Sequence, residues 1–208
     1  MKFKLINALL VVAVIAGLYG WWRIDLCWRP HDITKNQAEI TKILETSGWV
    51  SASLPGPKLY MVGFRSCPDC LRFKLEQWPK LQAAQVDTRL IEVARPDLNG
   101  VSQSTPAERS TVAELWVNRS WSLSQRWDET PIDGWTADGI IPADGDTART
   151  AVVDAGRDMV MKLRPLLKEN GITFAYPLLI WWTQDGKMRG CACEKAETQG
   201  YALKDLGA

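Results

Sequence analysis

Two pairs of closely spaced cysteines are the residues of this chain whose type and spacing suit redox chemistry. Two residues separate Cys67 from Cys70, and one separates Cys191 from Cys193. A cysteine thiolate attacks disulfides, and two thiols this close together can form a disulfide with each other. The spacing therefore predicts dithiol–disulfide exchange, with Cys67 and Cys70 as the leading pair and Cys191 and Cys193 as a candidate second thiol pair.

The residues around Cys67 predict that it begins a helix. Residues 58–64 form an apolar run with strand character, and a helical pattern then continues over residues 71–78 and ends at Pro79. The unpaired backbone N–H groups of a first helical turn favour a thiolate on the leading cysteine. We therefore expect Cys67 to be the nucleophile and Cys70, one turn on, to resolve the mixed disulfide.

The immediate neighbours of the two cysteines are candidates to tune their reactivity. Pro68 suits the first helical turn because it needs no N–H donor there, and with Asp69 it forms the predicted active-site loop. Arg65 and Arg72 could lower the thiol pKa by their charge. Arginines on either side of a helix start are more often solvated, so we give these two less weight.

The remaining pattern predicts an α/β fold. Helices are expected at residues 32–47, 106–127, 147–170 and after Glu194, and strands at residues 58–64, 88–94, 174–183 and 187–193, with a hairpin turn at Asp185 and Gly186. The first half therefore reads as a βαβ unit with the cysteines at the strand-to-helix turn. Eleven tryptophans predict an interior rich in large aromatic side chains.

The N-terminus predicts a membrane anchor. Lys2 and Lys4 precede an uncharged stretch over residues 5–22, which is just long enough to span a bilayer as a helix. Positive charge before the span puts the N-terminus in the cytoplasm and the rest of the chain in the periplasm, at the inner membrane. A cleaved signal peptide is the competing interpretation, and it leads to the same compartment, where disulfides persist. Cys27 is then a spare thiol near the membrane.

Length and charge limit the remaining possibilities. After residues 1–22, the chain has room for a linker and N-terminal helix at residues 23–57 and one domain at residues 58–208. The net charge of +1 gives no basic face, so no nucleic-acid partner is expected. His31 is the sole histidine and lies in the predicted linker, which leaves no catalytic Cys/His pair in the domain.

Two segments resemble the thioredoxin-like superfamily. YMVGFRSCPDCLRF is similar to its strand–CxxC–helix unit, and GITFAYPLLIWWTQDGKMRG to its cis-proline strand and the hairpin that follows; together the resemblance covers residues 58–94 and 171–190. It implies a thioredoxin-like fold, a central mixed sheet flanked by helices. It also implies that Tyr176 and Pro177 form the loop that packs against the CxxC and pairs with the substrate backbone.

The spacing and the details of the two segments refine this resemblance. More than one hundred residues separate Cys70 from Pro177, which predicts a helical insertion at about residues 96–171. The chain thus resembles the Dsb-type periplasmic oxidoreductases, in which a helical insert caps the active site. Thioredoxins carry a buried aspartate where this chain has Met61, and they differ between the cysteines as well. The direction of electron flow is therefore not predicted.

Three functions follow from the sequence. The first is a thiol-disulfide oxidoreductase that needs no cofactor or metal, with exported protein thiols and disulfides as substrates and a membrane or periplasmic redox partner. The second is a non-catalytic adaptor of an envelope assembly or export apparatus, in which the CxxC is a structural disulfide. The third is a zinc site built from all four paired cysteines. Cys191 and Cys193 either shuttle electrons to the first pair or are structural.

Overall fold

The computed structural model describes residues 2–21 and 29–208, with side chains at residues 10–21 and 29–208, so Trp22 and Cys27 lie outside the described residues. Helix α1 spans Lys2–Trp21, and its large apolar side chains from Leu10 onward are exposed. Among the described residues, no helix combines the length and the apolar character needed to cross a membrane. The membrane anchor at residues 5–22 is not supported by this finding and stays a prediction.

A mixed sheet lies at the centre of the described chain. Its strands are β1 (His31–Asp32), β2 (Lys58–Gly63), β3 (Asp87–Glu92), β4 (Leu178–Trp182) and β5 (Met188–Ala192). They run in the order β1-β5-β4-β2-β3, with β2 and β3 parallel and the other neighbours antiparallel. This arrangement confirms the predicted central mixed sheet.

Helices cover both faces of the sheet. They are α2 (Gln37–Thr46), α3 (Pro68–Glu76), α4 (Trp78–Ala83), α5 (Pro106–Asn118), α6 (Trp121–Glu129), α7 (Thr147–Lys168) and α8 (Ala196–Leu206). Alternate residues of β2 point to opposite faces. Met61 therefore packs with α3, α4 and α8, whereas Tyr60 and Val62 pack with α2 and α7.

The helical insertion has an apolar core of its own around Trp127. Val112 and Leu115 of α5, Leu123 of α6 and Val153 of α7 surround this ring. Further along α7, Val160, Leu163 and Leu167 are buried against the sheet instead. Helix α7 therefore joins the core of the insertion to the core of the sheet.

Two helices differ from their predicted bounds for local reasons. The helix expected over residues 106–127 is interrupted at Arg119, which has φ 50°, and α6 restarts because the Ser120 hydroxyl accepts a hydrogen bond from the Leu123 N–H at 3.2 Å. The helix expected to end at Pro79 is α3 followed directly by α4. Pro79 sits in the first turn of α4, where its missing N–H costs no hydrogen bond.

Residues that the sequence places before the domain contribute to its core. β1 pairs with β5, and Val50 pairs with Leu90 beside β3. Ile40 and Leu44 of α2 are buried against the same sheet face as α7. The predicted helix at residues 32–47 is shorter than expected, since the chain is extended at β1 and α2 begins at Gln37.

Candidate active site

Cys67 lies at the N-terminal cap of α3. Its sulfur accepts a hydrogen bond from the Cys70 backbone N–H at 3.1 Å, and Pro68 occupies the first turn. A disulfide joins Cys67 to Cys70, whose Cα atoms are 5.1 Å apart. The predicted strand, turn and helix are confirmed, and they place the leading sulfur where unpaired N–H groups stabilise a thiolate.

Both cysteines are buried where the helix meets the sheet. Cys67 is 3% exposed and Cys70 is 1% exposed. Gly63 ends β2 directly beneath Cys70, because a Cβ atom built on this glycine would lie 3.1 Å from the Cys70 sulfur. The absence of a side chain at Gly63 therefore makes room for the second cysteine.

The predicted substrate-binding loop lies at the same end of the sheet. The peptide bond between Tyr176 and Pro177 is cis, and β4 starts at the next residue. Val62 pairs with Leu178, so one further step of the antiparallel register sets Pro177 beside Gly63. The fold thus brings together Tyr176, Pro177 and the two cysteines, and the substrate-binding role of the loop stays a prediction.

Arg65 is not solvated, contrary to the interpretation favoured by the sequence. Its buried guanidinium donates to the backbone carbonyls of Trp127 and Thr130 and lies 5.2 Å from the centre of the Trp127 ring. Burial lowers the pKa of Arg65, against the opposing charges of Asp128 and Glu92. The residue ties the loop before Cys67 to the end of α6.

Arg72 holds the active-site loop on its other side. It donates to the Asp69 carboxylate at 2.5 Å and to the Glu194 carbonyl at 2.6 Å. The charge of Asp69, between the two cysteines, is therefore balanced by Arg72. The same guanidinium joins the start of α3 to the residue that follows Cys193.

A buried ionic cluster beneath the active site was missed by the sequence analysis. Lys74 lies one turn after Cys70 on α3, and its Nζ is 2.5 Å from Glu92 Oε1 and 2.7 Å from Asp128 Oδ1. Burial opposes the charge on Lys74, but the two carboxylates outweigh it and raise the pKa of Lys74. The signal available in the sequence was the position of Lys74, four residues after Cys70 and therefore on the same face of α3.

Glu92 supplies a carboxylate on the sheet face that packs against α3. It ends β3 and pairs with Gly63 across the sheet, while its Oε2 is buried with no hydrogen-bond partner among the described residues. Met61, the position of the thioredoxin aspartate, is apolar and fully packed on the same face. The buried carboxylate of this chain therefore belongs to Glu92 on β3, whereas the resemblance to thioredoxins places it at position 61 on the neighbouring strand β2.

The second cysteine pair lies on the same sheet face as the first. The sulfurs of Cys191 and Cys193 lie side by side, and the two residues are 3% and 0% exposed. The Cys193 N–H donates to the Pro177 carbonyl at 2.9 Å, and Pro177 lies beside Gly63. The chain segment that leads into β4 therefore lies between the second cysteine pair and Gly63. Within residues 10–21 and 29–208, no three or more side chains that could bind a metal ion lie together. The proposed shuttling of electrons from Cys191 and Cys193 to the first pair stays a prediction.

Three aromatic rings form a row beside the cysteines, with an arginine at each end. Tyr176 makes edge-to-face contacts with Phe64 at 5.0 Å and Phe174 at 5.1 Å between ring centres. Arg95 lies 4.4 Å from the Phe64 ring centre, and Arg164 lies 5.0 Å from that of Phe174. We call these five residues the aromatic row; no feature of the sequence pointed to the two arginines.

Comparison with known proteins connects this chain to solved structures only. No protein-family model matches it, and no curated protein matches it. A linker-deletion variant of Proteus mirabilis ScsC superimposes with a TM-score of 0.54 at 13% identity, over 98% of this chain and 93% of that chain. BcfH from Salmonella enterica Typhimurium gives 0.53 at 14% identity, over 100% and 92%. The catalytic domain of Proteus mirabilis ScsC gives 0.50 at 14% identity, over 82% and 97%.

In this chain the mixed sheet has the order β1-β5-β4-β2-β3, and the CxxC lies at a strand-to-helix turn. At this level of identity they bear on the fold. The chain therefore has a thioredoxin-like fold with a helical insertion, similar to that of ScsC and BcfH, and the predicted resemblance is confirmed at the level of the fold.

Proposed function

We propose that this protein is a thiol-disulfide oxidoreductase that acts on exported proteins through Cys67 and Cys70. One observation carries the proposal: the Cys67 sulfur caps α3 and accepts the Cys70 N–H, next to the loop of Tyr176 and Pro177. A helix N-terminus stabilises the thiolate that exchange requires. The thioredoxin-like fold supports this assignment.

The reaction proceeds through one mixed disulfide. In the reducing direction, the Cys67 thiolate attacks a substrate disulfide, a bond forms between Cys67 and one substrate sulfur, and the other substrate sulfur leaves as a thiolate. The Cys70 thiolate then attacks Cys67, which closes the Cys67–Cys70 disulfide and releases the second substrate thiolate. In the oxidising direction both steps run in reverse. The potential of the pair against its redox partner sets the direction.

The cellular setting belongs to the same proposal. The uncharged stretch at residues 5–22, preceded by Lys2 and Lys4, supports a single inner-membrane anchor with the domain in the periplasm. The redox partner would then lie in the membrane or the periplasm. Retention of the full chain in membranes after a carbonate wash would support the anchor, and release into the supernatant would contradict it.

Trapping of mixed disulfides tests the catalytic proposal. In a Cys70→Ser variant the second step is blocked, so exported proteins should accumulate as reducible adducts of Cys67. The Cys67→Ser/Cys70→Ser double variant is the matched control and should trap none. A Cys70→Ser protein that is folded and exported but carries no adduct would overturn the proposal.

The burial of both sulfurs favours a second candidate function. With Cys67 at 3% and Cys70 at 1% exposure, the disulfide suits a permanent link in a non-catalytic adaptor of an envelope assembly or export apparatus. The same trapping experiment separates the two candidates. An adaptor would give no adduct with the Cys70→Ser variant, and its partners would still bind when both cysteines are replaced.

A further inference from the structure

Arg95, which contacts the residue before the nucleophile, has unused hydrogen-bonding capacity. Arg95 Nη2 donates to the Ser66 hydroxyl at 3.3 Å and to the Gln103 carbonyl at 3.0 Å, which holds the guanidinium beside the residue before Cys67. Nη1 donates to no atom of the described residues, and Nε is buried without an acceptor. Arg95 is therefore fixed in place and still has a donor to offer.

Within the described part of the chain, no carboxylate neutralises either arginine of the aromatic row. Most other arginines of the described chain pair with a carboxylate, namely Arg72, Arg89, Arg109, Arg149, Arg157 and Arg189. Arg95 and Arg164 form no ion pair with any described carboxylate; each stacks on an aromatic ring instead. Two uncompensated positive charges thus border the active-site loop and the cis-proline loop.

The two charges converge on Tyr176. Burial raises the pKa of Tyr176, and the positive charges of Arg164 and Arg95 both act against this rise. Tyr176 immediately precedes Pro177, where the substrate backbone is expected to pair. A substrate cysteine bound at Cys67 would therefore bring its neighbouring side chains between these two guanidiniums.

We infer that Arg95 and Arg164 select substrate segments that carry a carboxylate side chain next to the reactive cysteine. This inference rests on the proposed function and names its substrate class. A guanidinium binds a carboxylate through two parallel hydrogen bonds, and a partly apolar setting strengthens the attraction. A lysine or arginine at the same substrate position would meet two like charges.

Matched peptides test the inference with the full-length protein. Three peptides, each containing a disulfide, differ only in the residues that flank the cysteine, which are Glu, Gln or Lys. The rate at which each peptide exchanges with the reduced protein is measured at low salt. The Glu peptide should react about tenfold faster than the Lys peptide, with Gln between them, and salt should shrink the difference. In Arg95→Gln/Arg164→Gln the ratio should fall towards one.

Two further variants make the result specific. Arg126→Gln is the matched control, because Arg126 is an exposed arginine stacked at 5.8 Å on Trp135, in the insertion, and its loss should leave the ratio unchanged. The single variant Arg164→Gln changes an exposed side chain and should fold normally. It can therefore be used for the test if the loss of Arg95 prevents folding.

The outcomes separate the inference from the function on which it rests. Equal rates for the three peptides, or an unchanged ratio in the folded Arg164→Gln and double variants, would overturn the inference alone. A complete absence of exchange with every peptide would overturn the proposed function and the inference with it.

Discussion

Lys74 joins three elements beneath the active site. The side chain leaves α3, meets Glu92 at the end of β3 and Asp128 near the end of α6, and is 10% exposed. Removing one partner of a buried ion pair destabilises a fold strongly, because the remaining charge is left withdrawn from water. The cluster therefore makes the position of the CxxC helix depend on both the sheet and the insertion.

Replacement of Lys74 by Met should be severely destabilising. It leaves the buried carboxylate of Glu92 and the partly buried carboxylate of Asp128 without their cation, so we expect the free energy of unfolding to fall by about 3 kcal/mol, measured by urea denaturation. Lys58→Met is the control, since the Lys58–Glu45 pair is 3.4 Å long and about half exposed; it should cost less than about 1 kcal/mol. Equal effects of the two variants would contradict the account of the cluster.

The same cluster predicts a pH dependence. Because the pKa of Lys74 is raised in the folded state, its contribution is complete below the ordinary lysine value of 10.5 and is lost as pH rises through the higher folded value. The stability difference between the native protein and Lys74→Met should therefore not shrink as pH rises through the neutral range, and it should shrink only in the alkaline range. A difference that shrinks between about pH 6 and about pH 9 would contradict this assignment.

The link between the active-site loop and α6 is an interaction between elements. The Arg65 guanidinium donates to the carbonyls of both Trp127 and Thr130, at the end of α6. Its position two residues before Cys67 means that the helical insertion sets the conformation of the loop that carries the nucleophile. Without this guanidinium, the two carbonyls lose their donors, at about 1–3 kcal/mol for each buried group.

Arg65→Met should loosen α6 more than the other helices. We expect faster amide hydrogen exchange over residues 121–130 and in the loop before Cys67, with little change in α7. Arg126→Met, which removes an exposed guanidinium from the same helix, is the control and should leave exchange near its native rate. Unchanged protection in Arg65→Met would show that the insertion holds the loop by other contacts.

Local sequence signals predicted the elements whose causes are local. The strand of residues 58–64 was predicted from an apolar run, the helix at Cys67 from a proline in its first turn, and the hairpin from the Asp185–Gly186 turn dipeptide. The break at Arg119 was missed because no glycine or proline marks it, although Ser120 was a readable cap.

The features that the sequence did not reveal depend on contacts between distant residues. Arg65 is buried because α6 offers it carbonyls from the far side of the insertion, and Lys74 finds its partners on β3 and α6. The pairing of β1 with β5 joins residues from opposite ends of the described domain. The local sequence around a residue does not identify partners that lie far away in the chain. These contacts are therefore seen only in the three-dimensional structure.

At the scale of the whole molecule, α7 makes the insertion and the sheet one cooperative unit. Val153 packs in the core around Trp127, and Leu163 packs in the core of the sheet, on one continuous helix of 22 residues. We therefore expect the most protected amides of α5 and of β4 to exchange with the same free energy of opening. Separate opening of the insertion, at a lower free energy than the sheet, would contradict this prediction.

The redox activity of Cys67 and Cys70 is the central claim, and the reduction potential of this pair tests it most directly. The full-length protein would be equilibrated in thiol buffers, alkylated and analysed by peptide mass spectrometry, which reports Cys67–Cys70 separately from Cys191–Cys193. An exchanging pair should be half reduced between about −270 and about −120 mV, the range of known exchange proteins. A Cys67–Cys70 disulfide that remains closed below about −300 mV, as structural disulfides do, would contradict the account.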